Sequence, residues 1–120
     1  MNILIAGSRG FKNYKLLKRT ILDWIKENYT GNIEDLCVIS GRARGADRLG
    51  EHFAEEIGCN VDLYPADWEK YGGSAGYIRN AEMIKVADVA FIFWDGKSRG
   101  TKHSIDLCRK KGVPVCLVEY

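Results

Sequence analysis

No apolar run in this 120-residue chain approaches the ~20 residues that span a bilayer. The opening segment, MNILIAGSRG, lacks the basic flank and the longer apolar stretch of a secretory signal. Both absences predict a cytoplasmic protein with no membrane partner. Net charge is nearly absent too, since 18 basic side chains stand against 16 acidic ones, leaving +2. Such a surface is no general polyanion magnet, although a local basic patch stays open. No CxxC spacing links Cys37, Cys59, Cys108 and Cys116, so nothing predicts a zinc site or any other metal. The four read as thiols of a reducing compartment, with Cys37 and Cys116 buried inside apolar runs. Neither GxxxxGK[ST] nor GxGxxG occurs, so no bound cofactor is expected from those motifs. Repeats and low-complexity linkers are missing, and residues 1–120 read as one domain.

What the chain does contain is an alternation of strand, loop and helix. Apolar runs at Asn2–Ala6, Leu36–Ser40, Val61–Tyr64, Val89–Trp94 and Pro114–Val118 predict strands. Helices are predicted at Tyr14–Asn28, Ala46–Ile57, Ser74–Val86 and Thr101–Lys111. In the first, Leu16, Leu17, Ile21, Trp24 and Ile25 recur at helical spacing. In the third, Ile78, Met83 and Val86 are placed on the inner side. Gly58 and Gly112 close the second and the last. Continuous apolar strands between helices indicate a parallel sheet covered on both faces. The fold class is therefore α/β, with a five-stranded parallel sheet between two helical layers. Right-handed crossovers leave the orders 3-2-1-4-5 and 2-1-3-4-5. The longest irregular stretch, Pro65–Gly73, reads as a binding loop or lid.

Ligands of open parallel sheets bind beyond the carboxyl ends of the strands. Three loops there look alike. The first carries Gly7, Ser8 and Arg9, and the second Ser40, Gly41, Arg42, Arg44, Gly45 and Asp47. The third carries Asp95, Ser98, Arg99, Gly100, Thr101 and His103. Glycine permits tight turns and close backbone approach. A helix N-terminus attracts anions, and arginine binds phosphate bidentately. One such loop is ordinary turn chemistry with solvated arginines. Three of them at one sheet edge predict a pocket for a phosphate-bearing molecule. Trp68 is placed to stack on a base, or else to pack its loop, and Asp67 to hold ribose hydroxyls. Arg79 and Asn80 reach the cleft from the third helix, unless they form a solvated face. His52, mid-helix and without a partner motif, reads as structural.

GSR after the first strand, SGRARGAD after the second, PADW, IRNAEM and FWDGKSRGTKH together resemble the YspA-like branch of the SLOG superfamily. That superfamily also contains the DNA-processing protein DprA and the LOG phosphoribohydrolases. The resemblance covers nearly the whole chain. It implies a Rossmann-like three-layer sandwich with strand order 3-2-1-4-5 and a site for nucleotides or nucleotide-derived ligands. It further implies a sensor or processor of such signals in conflict systems, and frequent homo-oligomers. Against the LOG pattern, Ser98–Thr101 resembles the glycine loop and Arg79 the helix arginine, but Ser104 stands where those enzymes carry a catalytic glutamate. Arg42 stands where the branch usually has glycine.

The reading preferred from sequence is a binding module for a nucleotide or ADP-ribose-like ligand. Two alternatives stand beside it: a LOG-like nucleotide N-glycosidase, and a single-stranded nucleic-acid binder. The small net charge disfavours the last.

Overall fold

A computed structural model describes residues 1–120. Five strands, β1 (Asn2–Gly7), β2 (Cys37–Ser40), β3 (Asn60–Leu63), β4 (Val89–Trp94) and β5 (Val115–Glu119), form one sheet. All pairs are parallel, in the order β3-β2-β1-β4-β5. The order is the one implied by the resemblance. The helices are α1 (Tyr14–Asn28), α2 (Ala46–Ile57), α3 (Trp68–Tyr71), α4 (Ala75–Val86) and α5 (Arg99–Lys111). No helix is long and apolar enough to cross a membrane.

Strand alternation sorts the core into two layers. Ile3, Ile5, Phe91 and Phe93 face α1 and α2, where Leu17, Ile21 and Phe53 close over them. Leu4, Ala90 and Ile92 face α4 and α5, meeting Met83, Ile84 and Ile105. Burying each large apolar side chain contributes about 1.5–3 kcal/mol, so the central pair β1–β4 anchors the molecule. Its register, Ile3 opposite Val89 through Gly7 opposite Phe93, fixes where the loops after both strands emerge.

Several local expectations change. Pro65–Gly73 is not irregular throughout. Asp67 caps α3 by accepting from the Lys70 N–H at 3.1 Å, and a 3₁₀ turn follows at Gly72–Ser74. α5 begins two residues earlier than its apolar pattern, because the Ser98 side chain caps it. On α4, Met83 is buried as expected and Ile78 partly so, but Val86 is exposed, and Ala75, Asn80 and Ile84 complete the buried face. The fully buried thiol is Cys108, while Cys37 and Cys116 are only partly covered.

Candidate functional site

The strand order makes β1 and β4 neighbours whose outgoing chains diverge, α1 to one face and α5 to the other. A crevice must open at their carboxyl ends. Three loops wall it, and their glycines and hydroxyls explain how they stay close together.

The loop after β1 is pinned to β4. The Ser8 N–H donates to the Phe93 carbonyl at 2.9 Å, and the buried Ser8 hydroxyl accepts from the Asp95 N–H at 3.1 Å. At Gly7 a Cβ would sit 2.2 Å from the Phe93 carbonyl oxygen, so only glycine fits that approach. Phe11 anchors the far end by stacking on Phe93, with centroids 4.7 Å apart. Arg9, between these anchors, is left exposed above the crevice.

The loop after β2 is tied down by two acids of α2, the partly buried Glu51 and the buried Asp47. The Ser40 hydroxyl donates to Glu51 at 2.6 Å and accepts from the Arg42 N–H at 3.2 Å. The Arg42 guanidinium pairs with the same Glu51 at 3.1 Å. Asp47, on the first turn of α2 and 5 % exposed, accepts from the Ala43 N–H at 3.3 Å. A Cβ at Gly45 would lie 2.4 Å from the Ser8 carbonyl oxygen, so this loop packs directly against the first. From α4, the Arg79 guanidinium donates to the Gly41 carbonyl and, at 3.0 Å, to Asn80.

The loop after β4 is folded by Asp95, whose carboxylate accepts from the Lys97 and Ser98 N–H groups, both at 2.8 Å. These bonds hold its carboxyl below the usual range. Ser98 then caps α5, and Gly100, Thr101 and Ser104 turn the helix N-terminus toward the crevice. The first-turn N–H groups and the helix dipole favour an anion there.

The result is a cleft of two joined lobes. The inner one, about 100 Å³, lies between Gly7, Arg9, Asp47, Arg79, Asn80 and the start of α5. The outer one, about 230 Å³, lies between Arg9, Arg42, Arg44, Arg79, Pro65 and Trp68. Arg9, Ala43 and Arg79 line both. Ligand clefts usually run from roughly 300 Å³ upward, so the joined lobes suit a small molecule. Burial, and secondarily the neighbouring Arg9, lowers the Arg79 pKa, while Asp47 opposes that shift. Burial raises Asp47 to about 6 against the N–H group of Ala43 and the charge of Arg79.

The structure thus gathers Gly7, Arg9, Gly41, Arg42, Arg44, Asp47, Trp68, Arg79, Asn80, Ser98, Gly100 and Thr101 around one cleft. Ser8, Ser40, Gly45 and Asp95 shape its walls without lining it. Asp67 is engaged in capping α3 and lines neither lobe. Arg99 and His103 face away, toward a shallow groove with Tyr77, whose ring meets that of His103 edge-on at 4.6 Å. Sequence reasoning passed over Ala43, Ala66 and Met83 as lining residues. Met83 was legible in principle, because it follows Asn80 by three positions and shares its helix face.

The chain is similar over residues 1–71 to the family model described as the YspA, cpYpsA-related SLOG family. It is also 38% identical, over 119 residues, to the Gene 61 protein of Mycobacterium phage D29, covering 94% of this chain and 92% of that protein. No solved structure matches it. With the motif-bearing loops converging on the crevice between β1 and β4, the chain belongs to the YspA, cpYpsA-related SLOG family.

Proposed function

We propose that the cleft binds a nucleotide or nucleotide-derived molecule of the ADP-ribose type, and that the protein acts as its sensor or sequestering module. One observation carries this reading: Arg9 and Arg79 line both lobes, opposite the N-terminus of α5. Two guanidiniums and a helix N-terminus facing one crevice attract an anion, and the carboxylate beside them, Asp47, offsets only one of the two guanidinium charges. The inner lobe takes phosphate. The outer lobe takes the base or the second sugar, beside Trp68 (55 % exposed) and Pro65. Family membership is consistent with a nucleotide-related ligand. The four unpaired thiols suit a reducing, cytoplasmic setting.

Binding is favoured over N-glycosidic cleavage because Asp47 is the one carboxylate lining either lobe. It already accepts from the Ala43 N–H. Ser104 is buried, and its hydroxyl donates to the Gly100 carbonyl at 3.3 Å. A hydroxyl so engaged supplies no ionised group to a developing oxocarbenium ion.

Thermal denaturation with AMP, ADP-ribose and a short single-stranded oligonucleotide tests the reading. A ligand at a hundred times its Kd adds about 2.7 kcal/mol, a shift of several degrees. The expected result is a shift with AMP or ADP-ribose that Arg9→Ala weakens. A shift with the oligonucleotide alone would contradict it. Incubation of the same mixture should leave the nucleotide intact, and release of free base would favour the glycosidase instead.

A further inference from the structure

The lobe assigned to phosphate also contains a carboxylate. Asp47 is buried at its floor, on the first turn of α2. The charged groups facing it come from three directions. Arg79 reaches it from α4, Glu51 stands one turn further along α2, and Arg9 overhangs the same lobe from the loop after β1. The α5 residues of the lobe, Ser98, Gly100, Thr101 and Ser104, do not titrate near neutral pH, nor does Met83. An entering phosphate would meet the two arginines it needs and, beside them, the negative charge of a carboxylate only 5 % exposed.

Two negative charges sharing a small, poorly solvated space favour protonation of one of them. A phosphodiester or pyrophosphate stays ionised at neutral pH, so the proton goes to the carboxyl. Burial already holds Asp47 near 6 in the free protein. Only a modest upward shift on binding is needed to protonate it at neutral pH.

We propose that the cleft takes up its phosphate-bearing ligand together with one proton, which is carried by Asp47. The proposal rests on the nucleotide-binding reading above. In the free protein at neutral pH the ionised carboxylate faces Arg79. In the complex the phosphate takes over the guanidiniums, and a solvent proton adds to a carboxylate oxygen of Asp47. The bound state then holds more protons than the free state. Affinity therefore rises as pH falls toward about 6, and levels off below, where free Asp47 is already protonated.

The probe is ADP-ribose, whose pyrophosphate keeps its charge across this range, whereas the phosphate of AMP itself titrates near pH ~6. Calorimetric titration from about pH 5.5 to about 8.5 should show affinity falling above pH 6, by no more than ~10-fold per unit for one proton, and levelling off again once the pH passes the raised pKa of Asp47 in the complex. Asp47→Asn should bind ADP-ribose without that slope, and more tightly than the wild type at about pH 8. Carbon-13 NMR of the Asp47 carboxyl should show its titration moving upward when ADP-ribose saturates the protein. The NMR and the wild-type slope decide the matter even if the variant fails to fold. Affinity that is flat with pH, or that grows with pH because an ionised Asp47 holds sugar hydroxyls, would overturn the proton uptake and leave the site standing. ADP-ribose that binds at no pH would overturn both.

Discussion

Arg42 has a left-handed backbone, with φ 67°, and no other non-glycine residue shares a positive φ. An L-residue there costs roughly 1–2 kcal/mol relative to glycine. The position thus calls for a left-handed turn, which glycine adopts freely, rather than for a particular side chain. Here the guanidinium compensates by pairing with Glu51. Arg42→Ala loses the pair and keeps the strain, whereas Arg42→Gly loses the pair and relieves it. Urea denaturation should find the glycine variant more stable than the alanine variant by about 1 kcal/mol. Equal stabilities would show that the turn is unstrained. Arg9 and Arg79 differ in the same way, by what else they hold. Arg9 is exposed and makes no internal hydrogen bond, while Arg79 braces Gly41 and Asn80. Arg9→Ala should weaken ADP-ribose binding by about 1.5–3 kcal/mol with the melting temperature unchanged. Arg79→Ala should weaken binding and lower the melting temperature together.

At the scale of elements, the site depends on how closely α2 lies on β1. Gly50 permits this contact, because a Cβ there would fall 2.8 Å from the Ile5 side chain. Gly50→Ala should therefore destabilise the fold by about 1–3 kcal/mol, measured by thermal or chemical denaturation, although alanine is the better helix former. A stabilised variant would mean that the helix is free to shift outward. Helix ends were legible wherever glycine marks them: Gly58 and Gly112 are left-handed caps, with φ 82° and 78°. The helical turn inside PADWEKYGG was not legible, since two adjacent glycines masked the Asp67 cap. The inner face of α4 was misjudged for a related reason. It runs through Ala75 and Asn80, small and polar residues that carry no hydrophobic signal, and leaves Val86 in solvent. The same limit applies to the site. Glycine spacing announces which loops converge, but helix rotation decides that Arg79 enters the cleft and Arg99 leaves it.

At the scale of the whole molecule, one carboxylate sets a distinctive pH dependence. The folded carboxyl of Asp47 lies near 6, above its ordinary 3.8. Folding thus favours the protonated form, and this contribution to stability is complete below about pH 4 and lost as pH rises through 6. A shift of two units corresponds to a loss on the order of 3 kcal/mol. The exposed carboxylates Glu56, Asp95 and Asp106 act in the opposite sense, since their lowered pKa values weaken the fold only as acid protonates them. Asp47→Asn isolates the buried group: relative to wild type, the variant should gain stability steadily between pH 4 and 7. Parallel pH profiles would mean that Asp47 titrates normally.

The central claim is that a nucleotide binds where β1, β2 and β4 end, between Arg9, Arg79 and the start of α5. Amide chemical-shift mapping by nitrogen-15 NMR with added AMP tests it most directly. The account predicts saturable shifts concentrated at Gly7, Arg9, Ala43, Gly100 and Thr101, which in Arg9→Ala need a higher AMP concentration to saturate. Shifts centred instead on the Tyr77–His103 groove, or none at all, would contradict it.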